Sequence, residues 1–420
     1  MKKIKLKNNL QLITVPMKGT NTATVLIMVH TGSKNENKNN NGISHFLEHM
    51  FFKGTKKRPN TTAISSELDS IGAEFNAFTS KEFTGYWVKV DKNKINLAID
   101  IVSDMLLNSK FDADEIEKEK GVIIEEINMY YDNPMIHIED IFEECLYGDT
   151  PAGWNIAGPK KNILKFKRKD FTDYFDTQYS ANNMTICIAG NLNKLNIKQQ
   201  EKKYFTKFKS TKFVEKAKLV EKQTSPQIKV QYKKTDQAHI SLGVRSIPID
   251  HKDEFALKML GIMLGGSMSS RLFIEVREKQ GLAYYVRTSA EFYTDSGYLT
   301  TQAGTSIDKV TKTIEIILHE YKKITENLVT AKELNKTKDL IFGRSAIQLE
   351  ASDNVASWYG RQGAIRKKML SPKQFKENIK KVTPKDIQRI AKKIFVNDGL
   401  NLAVIGPFKN KNLFNKIIKL

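Results

Sequence analysis

A short motif at residues 45–49, His-Phe-Leu-Glu-His, carries the side chains in this chain that are best suited to chemistry. Residues three and four positions apart share one face of an α-helix, so His45, Glu48 and His49 converge if the segment is helical. Two imidazoles one helical turn apart are a common way to hold zinc. The chain has seven histidines, and the pattern arises by chance in about 1 of 100 such sequences. A structural histidine pair on a surface helix is therefore the alternative.

A second segment, residues 119–130, has a helical pattern and offers carboxylates for a third zinc ligand. A catalytic zinc site has three protein ligands and leaves one position for water. Glu119 and Glu126 are separated by 126 − 119 = 7 residues, which is two helical turns and places both on one side of the helix. Glu125 is the alternative by proximity, but it points about 100° away from that side. Glutamates on helices are usually solvated, so only the register with the histidine motif singles these residues out.

The composition limits the class of protein. The 420 residues are 40% hydrophobic, which allows two domains with sizeable cores. No apolar run approaches the roughly 20 residues of a membrane span, and the basic N-terminus lacks the apolar stretch of a secretory signal. We therefore expect a cytoplasmic protein without a membrane partner. Cys145 and Cys187 are the only cysteines, so they allow one disulfide at most and cannot form a thiolate zinc site.

The formal net charge of the chain is 68 − 47 = +21. A charge of this size is compatible with a nucleic-acid partner or an acidic substrate, and a basic binding protein is therefore one alternative. The lysines are spread along the chain, however, and no nucleic-acid-binding motif accompanies them. We interpret the charge as a general compositional bias of the chain and expect no nucleic-acid partner.

The order of predicted helices and strands occurs twice along the chain. The clearest match aligns residues 113–123 with residues 331–341 without a gap. The duplication predicts an α+β fold with two homologous domains, each a mainly antiparallel sheet covered by helices. We expect a zinc-binding catalytic domain at 1–208, a lysine-rich linker at 209–226, and at 227–420 a homologous domain that binds no metal and contributes substrate-binding residues.

The histidine motif and the distant glutamate together resemble the pitrilysin family of metallopeptidases. Its inverted zinc motif is followed at a similar spacing by the glutamate that completes the site. The separation in this chain is 126 − 49 = 77 residues. The resemblance implies that His45, His49 and Glu126 are the zinc ligands and that Glu119 holds one ligand imidazole in place.

This resemblance covers nearly the whole chain and includes the duplication. The second repeat has an apolar helical segment at 257–260 and Arg344 where the first has the motif and Glu126, which implies one zinc ion per chain. The family presents an edge strand to an extended substrate, and this assigns substrate binding to Asn76 and Ala77.

An arginine and a tyrosine of the second repeat match a family pair that contacts substrate near the scissile bond. Arg277 and Tyr284 are separated by 284 − 277 = 7 residues, as in that pair, which implies substrate-binding and catalytic roles for both. Alone, Arg277 would more often form a surface ion pair and Tyr284 would more often lie in a core. The segment 264–273 resembles the glycine-rich loop of a processing-peptidase subunit but is shorter, so both recognition and a plain turn remain open for Gly265 and Gly266.

These features predict a zinc-dependent endopeptidase that hydrolyses peptides or unfolded segments inside a clam-shell chamber. Glu48 has no place among the ligands and would act as general base. Family members of this length resemble half of the longer enzymes, which implies a homodimer, with a heterodimer containing a homologous chain as the alternative. The alternative function is a non-catalytic or recognition subunit of such a heterodimer. The intact motif and the distal glutamate argue against it.

Overall fold

The computed structural model describes all residues, 1–420, in eleven strands and fifteen α-helices. The strands are β1 (Lys2–Lys5), β2 (Gln11–Pro16), β3 (Thr22–Val29), β4 (Glu74–Thr79), β5 (Thr84–Asp91), β6 (Met184–Gly190), β7 (Gln227–Tyr232), β8 (Gln237–Arg245), β9 (Ala283–Phe292), β10 (Gly297–Ser306) and β11 (Leu400–Gly406). The helices are α1 (Ile43–Met50), α2 (Thr61–Asp69), α3 (Ile95–Asn108), α4 (Ala113–Asp132), α5 (Pro134–Tyr147), α6 (Lys160–Lys165), α7 (Arg168–Gln178), α8 (Ile197–Lys203), α9 (Glu254–Gly265), α10 (Val310–Glu326), α11 (Ala331–Gln348), α12 (Ser352–Ile365), α13 (Pro372–Lys381), α14 (Pro384–Ile394) and α15 (Asn412–Asn415). A π-helical segment covers Phe273–Lys279.

Two compact units make up the chain. The first contains Met1–Ile127, Asn155–Ala217 and Ser345–Met369. The second contains Asn128–Trp154, Lys218–Arg344 and Leu370–Leu420. Helix α5, from the first half of the sequence, therefore belongs to the second unit, and α12, from the second half, belongs to the first.

A six-stranded sheet in the order β1-β2-β6-β3-β5-β4 forms the centre of the first unit. Only β2 and β6 pair in parallel, and all other neighbours are antiparallel. Helices α1 and α3 contribute to a large core on this sheet, and α12 places Val355, Ala356 and Tyr359 against Leu26 and Met28 in a second cluster. Seven of the eight residues of β3 are buried, because helices cover both faces of this central strand.

A five-stranded sheet in the order β7-β11-β8-β10-β9 forms the centre of the second unit. Its only parallel pair is β7 with β11. Helix α5 covers one face, where Ile138 and Phe142 lie in a buried cluster with Ala403 and Ile405. The apolar side of α5 therefore completes the core of this unit.

The two sheets have the same topology, which confirms the predicted α+β duplication. Without β1, the order β2-β6-β3-β5-β4 corresponds strand by strand to β7-β11-β8-β10-β9. The long helices α4 and α11 begin at the aligned residues Ala113 and Ala331. Both sheets are mainly antiparallel and are covered by helices, as the sequence predicts.

The compact units differ from a division of the chain into 1–208 and 227–420. Residues 128–154 belong to the second unit and residues 345–369 belong to the first. The reason is that each segment contains an amphipathic helix, α5 or α12, which buries its apolar side chains on the sheet of the unit that it joins. The segment expected to be a linker, 209–226, contains no helix or strand.

Candidate active site

Helix α1 presents the two motif histidines side by side. It begins after Gly42, whose φ of 103° lies in the left-handed region that glycine tolerates. Phe46 and Leu47 are fully buried and anchor the helix in the core of the first unit. His45 and His49 lie on the other side of the helix, with ring centroids 4.7 Å apart. The helical periodicity of the motif thus separates the anchoring side chains from the chemical ones.

Glu126 of α4 lies beside the two imidazoles, as the family resemblance implies. Its Oε2 atom lies 3.6 Å from Nε2 of His45 and 3.4 Å from Nε2 of His49. A tetrahedral zinc site with metal–ligand bonds of about 2.1 Å has ligand–ligand distances of about 3.4 Å, so these three side chains fit a zinc ion. Glu125 is exposed and does not belong to the cluster.

Glu119 lies next to His49 and orients its ring. Its Oε1 accepts a hydrogen bond of 2.9 Å from Nδ1 of His49, and its Oε2 pairs with Nζ of Lys53 at 2.5 Å. A hydrogen bond from Nδ1 leaves Nε2 for the metal, which is typical of zinc-binding histidines. In contrast, Nδ1 of His45 is buried without a hydrogen-bond partner, so no side chain holds this ring through Nδ1 as Glu119 holds that of His49.

The charges around the site favour ionised carboxylates beside a protonated imidazole when no metal is bound. Burial alone would lower the pKa of His49, but Glu119 and Glu126 outweigh burial and raise this pKa to about 9. The neighbouring imidazoles of His45 and His49 hold the pKa of Glu126 below its usual range. Burial raises the pKa of Glu119, but His49 and Lys53 lower it by more. A metal ion that binds here displaces a proton from His49, so its affinity decreases as the pH falls.

Glu48 lies outside the cluster of His45, His49 and Glu126 and is held by a residue from another element. Thr79, the last residue of β4, donates a hydrogen bond from Oγ1 to Oε2 of Glu48 at 2.5 Å. Burial raises the pKa of Glu48, which suits a carboxylate that must accept and release a proton near neutral pH. The hydrogen bond fixes one carboxylate oxygen and leaves Oε1 for proton transfer.

Strand β4 forms an edge of the first sheet and leads to the candidate site. Asn76 and Ala77 pair with β5 on one side, and no strand pairs with β4 on the other. An extended peptide can add to such an edge through main-chain hydrogen bonds. Thr79 lies further along the same strand and contacts Glu48, so the edge ends beside the expected general base. The role of Asn76 and Ala77 in substrate binding stays a prediction.

Arg277 and Tyr284 meet in the second unit. The guanidinium carbon of Arg277 lies 5.6 Å from the ring centroid of Tyr284 and 4.9 Å from that of Phe273. Arg277 belongs to the π-helical segment, a type of turn that is frequent at functional sites. Tyr284 is 76% exposed, which excludes the alternative of a core aromatic. The roles of this pair in substrate binding and catalysis stay predictions.

The second unit holds no cluster of metal-ligating side chains. The aligned segment 257–260 lies in the apolar, largely buried part of α9, and Arg344 donates a hydrogen bond of 3.0 Å to the carbonyl oxygen of Gly266. Gly265 ends α9 against β9, where a Cβ would lie 2.4 Å from the backbone nitrogen of Thr288. Close packing of helix and strand therefore explains this glycine.

Lys53 and Thr79 contact functional side chains, but the sequence alone assigned them no role. Lys53 follows His49 by four residues, and this spacing places both on one face if the helical path continues beyond Met50. Thr79 follows Ala77 by two residues and therefore shares a face of β4 with it. Extending the helical periodicity by one step would have pointed to Lys53, whereas no local pattern links Thr79 to Glu48.

Comparisons with known proteins identify the family. The family described as "Insulinase (Peptidase family M16)" matches residues 12–160, and "Peptidase M16 inactive domain" matches residues 165–341. A Bacillus subtilis protein described as an uncharacterized zinc protease is 33% identical over 98% of this chain and 99% of its own length. A Rickettsia bellii protein with the same description is 35% identical over 96% of this chain and 97% of its own length. The chain therefore belongs to peptidase family M16, the pitrilysin family.

A solved structure supports the fold. A protease from Helicobacter pylori superposes with a TM-score of 0.90 over 97% of this chain and 99% of that chain, at 24% sequence identity. At this identity the similarity concerns the fold alone. It agrees with the arrangement of two homologous units, each with a helix-covered sheet.

Two further expectations concern membranes and cysteines. The structure contains no helix that is both long and apolar enough to cross a membrane. Cys145 and Cys187 are both free thiols, so the single disulfide that the sequence allows is not formed. The expected cytoplasmic location stays a prediction.

Proposed function

We propose that the chain is a zinc-dependent endopeptidase with one zinc ion per chain, held by His45, His49 and Glu126. The observation that carries the proposal is the convergence of these three side chains, with Glu126 Oε2 at 3.6 and 3.4 Å from the two imidazole nitrogens. Glu48 is close enough to interact electrostatically with all three. The relatives described as zinc proteases support the metal and the class of reaction.

The mechanism assigns each side chain a separate task. When bound, zinc supplies Lewis-acid chemistry that acidifies water and polarises a peptide carbonyl. Glu48 takes the proton of the attacking water and delivers it to the leaving amine nitrogen as the C–N bond breaks. Thr79 keeps the carboxylate of Glu48 in place, and the Glu119–Lys53 pair keeps His49 oriented.

Thr79→Val is expected to lower kcat about tenfold, the effect of losing one hydrogen bond of roughly 1.5 kcal/mol to a charged group. The variant removes the hydroxyl that fixes Oε2 of Glu48 but leaves every proposed zinc ligand in place. Kinetics on a fluorogenic peptide, combined with zinc analysis of the same protein, measure the effect. Thr79→Ser keeps the hydroxyl and should stay near wild type. Equal losses in both variants would show that packing around residue 79, and not the hydroxyl group, is responsible.

Peptides and unfolded segments are the substrates that the free edge of β4 favours. Pairing with this edge requires an extended main chain whose hydrogen-bonding groups are available. We therefore expect cleavage of a mixed peptide pool, read by mass spectrometry, and little cleavage of a stable folded domain that contains the same sequences. A zinc chelator should abolish the cleavage.

Other outcomes of this experiment distinguish the alternatives. Cleavage that resists the chelator, or rapid digestion of the folded domain with its peptides spared, would contradict the proposal. Stoichiometric zinc without cleavage of any peptide would favour a non-catalytic subunit. A protein that binds no zinc would favour a basic binding protein whose function depends on its charge.

We also propose that the working form is a two-fold homodimer whose sites are shared between copies. The zinc residues belong to the first unit, whereas Arg277 and Tyr284 belong to the second. The chain retains both sets, so two copies can supply two equivalent sites, each with a zinc ion from one copy and an Arg–Tyr pair from the other. In such a site, Arg277 and Tyr284 would stabilise the negative charge that develops on the carbonyl oxygen of the scissile peptide bond, or hold the peptide backbone. A heterodimer with a homologous chain is the alternative.

Mixing two inactive variants tests the shared sites. Subunits of the Glu48→Gln and Arg277→Ala proteins are allowed to exchange. Each mixed dimer then contains one site that combines an unmutated first unit from one copy with an unmutated Arg277 from the other. Random pairing predicts recovery to about a quarter of wild-type activity. The matched control, Glu48→Gln mixed with Glu126→Gln, should recover no activity because both substitutions lie in the first unit, so neither site of a mixed dimer has an intact first unit. Absence of recovery in the first mixture, despite demonstrated exchange, would contradict the homodimer proposal.

A further inference from the structure

The side chain of Glu36 is a buried carboxylate that the mechanism above does not use. Glu36 is only 4% exposed. Its Oε2 accepts hydrogen bonds of 2.9 Å from Nδ2 of Asn41 and 2.8 Å from the backbone nitrogen of Gly42, and its Oε1 accepts one of 2.8 Å from the backbone nitrogen of Ser44. Gly42 and Ser44 lie at the start of α1, the helix that carries both motif histidines. The carboxylate is therefore bound to the first turn of the metal-binding helix.

The start of α1 needs this distant carboxylate because its own capping residue has no side chain. Gly42 has a φ of 103°, and a Cβ at this position would lie 2.6 Å from the carbonyl oxygen of Ala157. Serine, threonine, asparagine and aspartate, the residues that usually cap a helix with a side-chain oxygen, are thus disfavoured here. The two oxygens of Glu36 supply the missing acceptors, and their negative charge is favourable at the positive end of the helix.

The first turn of α1 matters most for His45. His49 is held by Glu119, which in turn pairs with Lys53, but Nδ1 of His45 has no hydrogen-bond partner. His45 directly follows Ser44, so its position depends on the turn that Glu36 secures. The Ser44 hydroxyl also lies 2.8 Å from the hydroxyl of Tyr174, which adds a second contact at the same turn.

We infer that Glu36 is a positioning residue that places His45 for metal binding by capping α1 in place of its glycine N-cap. The inference rests on the proposed zinc site and adds to it a residue from outside the motif. Loss of the Glu36 carboxylate should therefore weaken zinc binding although no proposed ligand is changed.

The test compares Glu36→Gln with a matched buried carboxylate of the same unit. Asp104 is 5% exposed and accepts hydrogen bonds from Thr55 and Arg58, without contact with the first turn of α1. Zinc dissociation constants of the two full-length proteins are measured by competition with a chelating indicator. We expect Glu36→Gln to weaken zinc binding about 10- to 100-fold, the range for residues that support a metal ligand, and Asp104→Asn to stay within about twofold of wild type.

Hydrogen exchange of the metal-free proteins gives a second readout that is independent of zinc. Amides of residues 42–50 should exchange faster in Glu36→Gln than in Asp104→Asn. If Glu36→Gln does not fold, Glu36→Asp replaces it, because the shorter carboxylate keeps its charge but cannot reach both backbone nitrogens. Its zinc affinity should then lie measurably below that of wild type.

Two outcomes would overturn the inference. The Glu36 variant and wild type could have equal zinc dissociation constants, or the constant could rise by the same factor as in Asp104→Asn. Either result would show that Glu36 has only a general structural role. A wild-type protein that binds no zinc would overturn the proposed function and the inference together. The binding measurement on wild type therefore separates the two failures.

Discussion

Replacement of Glu48 by Gln is expected to lower kcat for peptide hydrolysis at least about a hundredfold, the scale of a lost general base, while zinc stays bound. Glutamine has nearly the same shape as glutamate and can still accept the hydrogen bond that Thr79 donates. Its amide cannot accept a proton from water at neutral pH. Because Glu48 is not among the three clustered candidate ligands, zinc content should equal that of wild type. Kinetics and metal analysis of the same preparation measure both effects.

A glutamate on α4 provides the control for this variant. The side chain of Glu117 is 67% exposed and pairs only with Lys120 of its own helix, so Glu117→Gln removes a carboxylate without affecting the site and should keep normal activity. Near-normal turnover by zinc-loaded Glu48→Gln protein would refute the role of Glu48 as general base. Loss of zinc from this variant would instead indicate that Glu48 is a ligand.

Replacement of Glu126 by Gln is expected to weaken zinc binding by more than the roughly 100-fold typical of residues that only support a ligand. Glu126 supplies the carboxylate oxygen that lies 3.6 and 3.4 Å from the two imidazole nitrogens. The neutral amide oxygen of glutamine is a poorer zinc ligand, and the negative charge that balances the metal is lost. Metal content after dialysis and a competition titration measure the change.

The neighbouring glutamate is the matched control. Glu125 lies on the same turn of α4 but is exposed and outside the cluster, so Glu125→Gln should bind zinc about as tightly as wild type. Zinc depletion in Glu125→Gln alone would place the register of α4 one residue away from that in the structure. Equal depletion in both variants would indicate a general disturbance of this helix.

Much of the candidate zinc site was predictable because helical periodicity determines it. The positions of His45 and His49 follow from a spacing of four residues, and the shared side of Glu119 and Glu126 follows from a spacing of seven. Choosing Glu126 as the ligand required the family resemblance, since periodicity alone does not distinguish it from Glu119. The structure shows the difference: Glu126 faces both Nε2 atoms, whereas Glu119 faces Nδ1 of His49.

Contacts between separate elements were not predictable from local patterns. Thr79 reaches Glu48 from the end of β4, and Glu36 reaches the start of α1 from the loop that precedes it. In both cases the tertiary path of the chain, and not a spacing within one helix, brings the atoms together. An amphipathic pattern likewise shows that α5 and α12 bury one side, but it does not show which sheet covers that side.

A zinc titration of the metal-free protein, with the rate of peptide hydrolysis as readout, tests whether His45, His49 and Glu126 form one catalytic zinc site. If the three clustered residues hold the catalytic zinc, the metal-free protein should show no hydrolysis. The rate should then rise linearly and reach its plateau at one zinc ion per chain. Hydrolysis that persists after complete removal of the metal, or a rate that does not respond to zinc although zinc binds, would contradict a zinc-dependent mechanism.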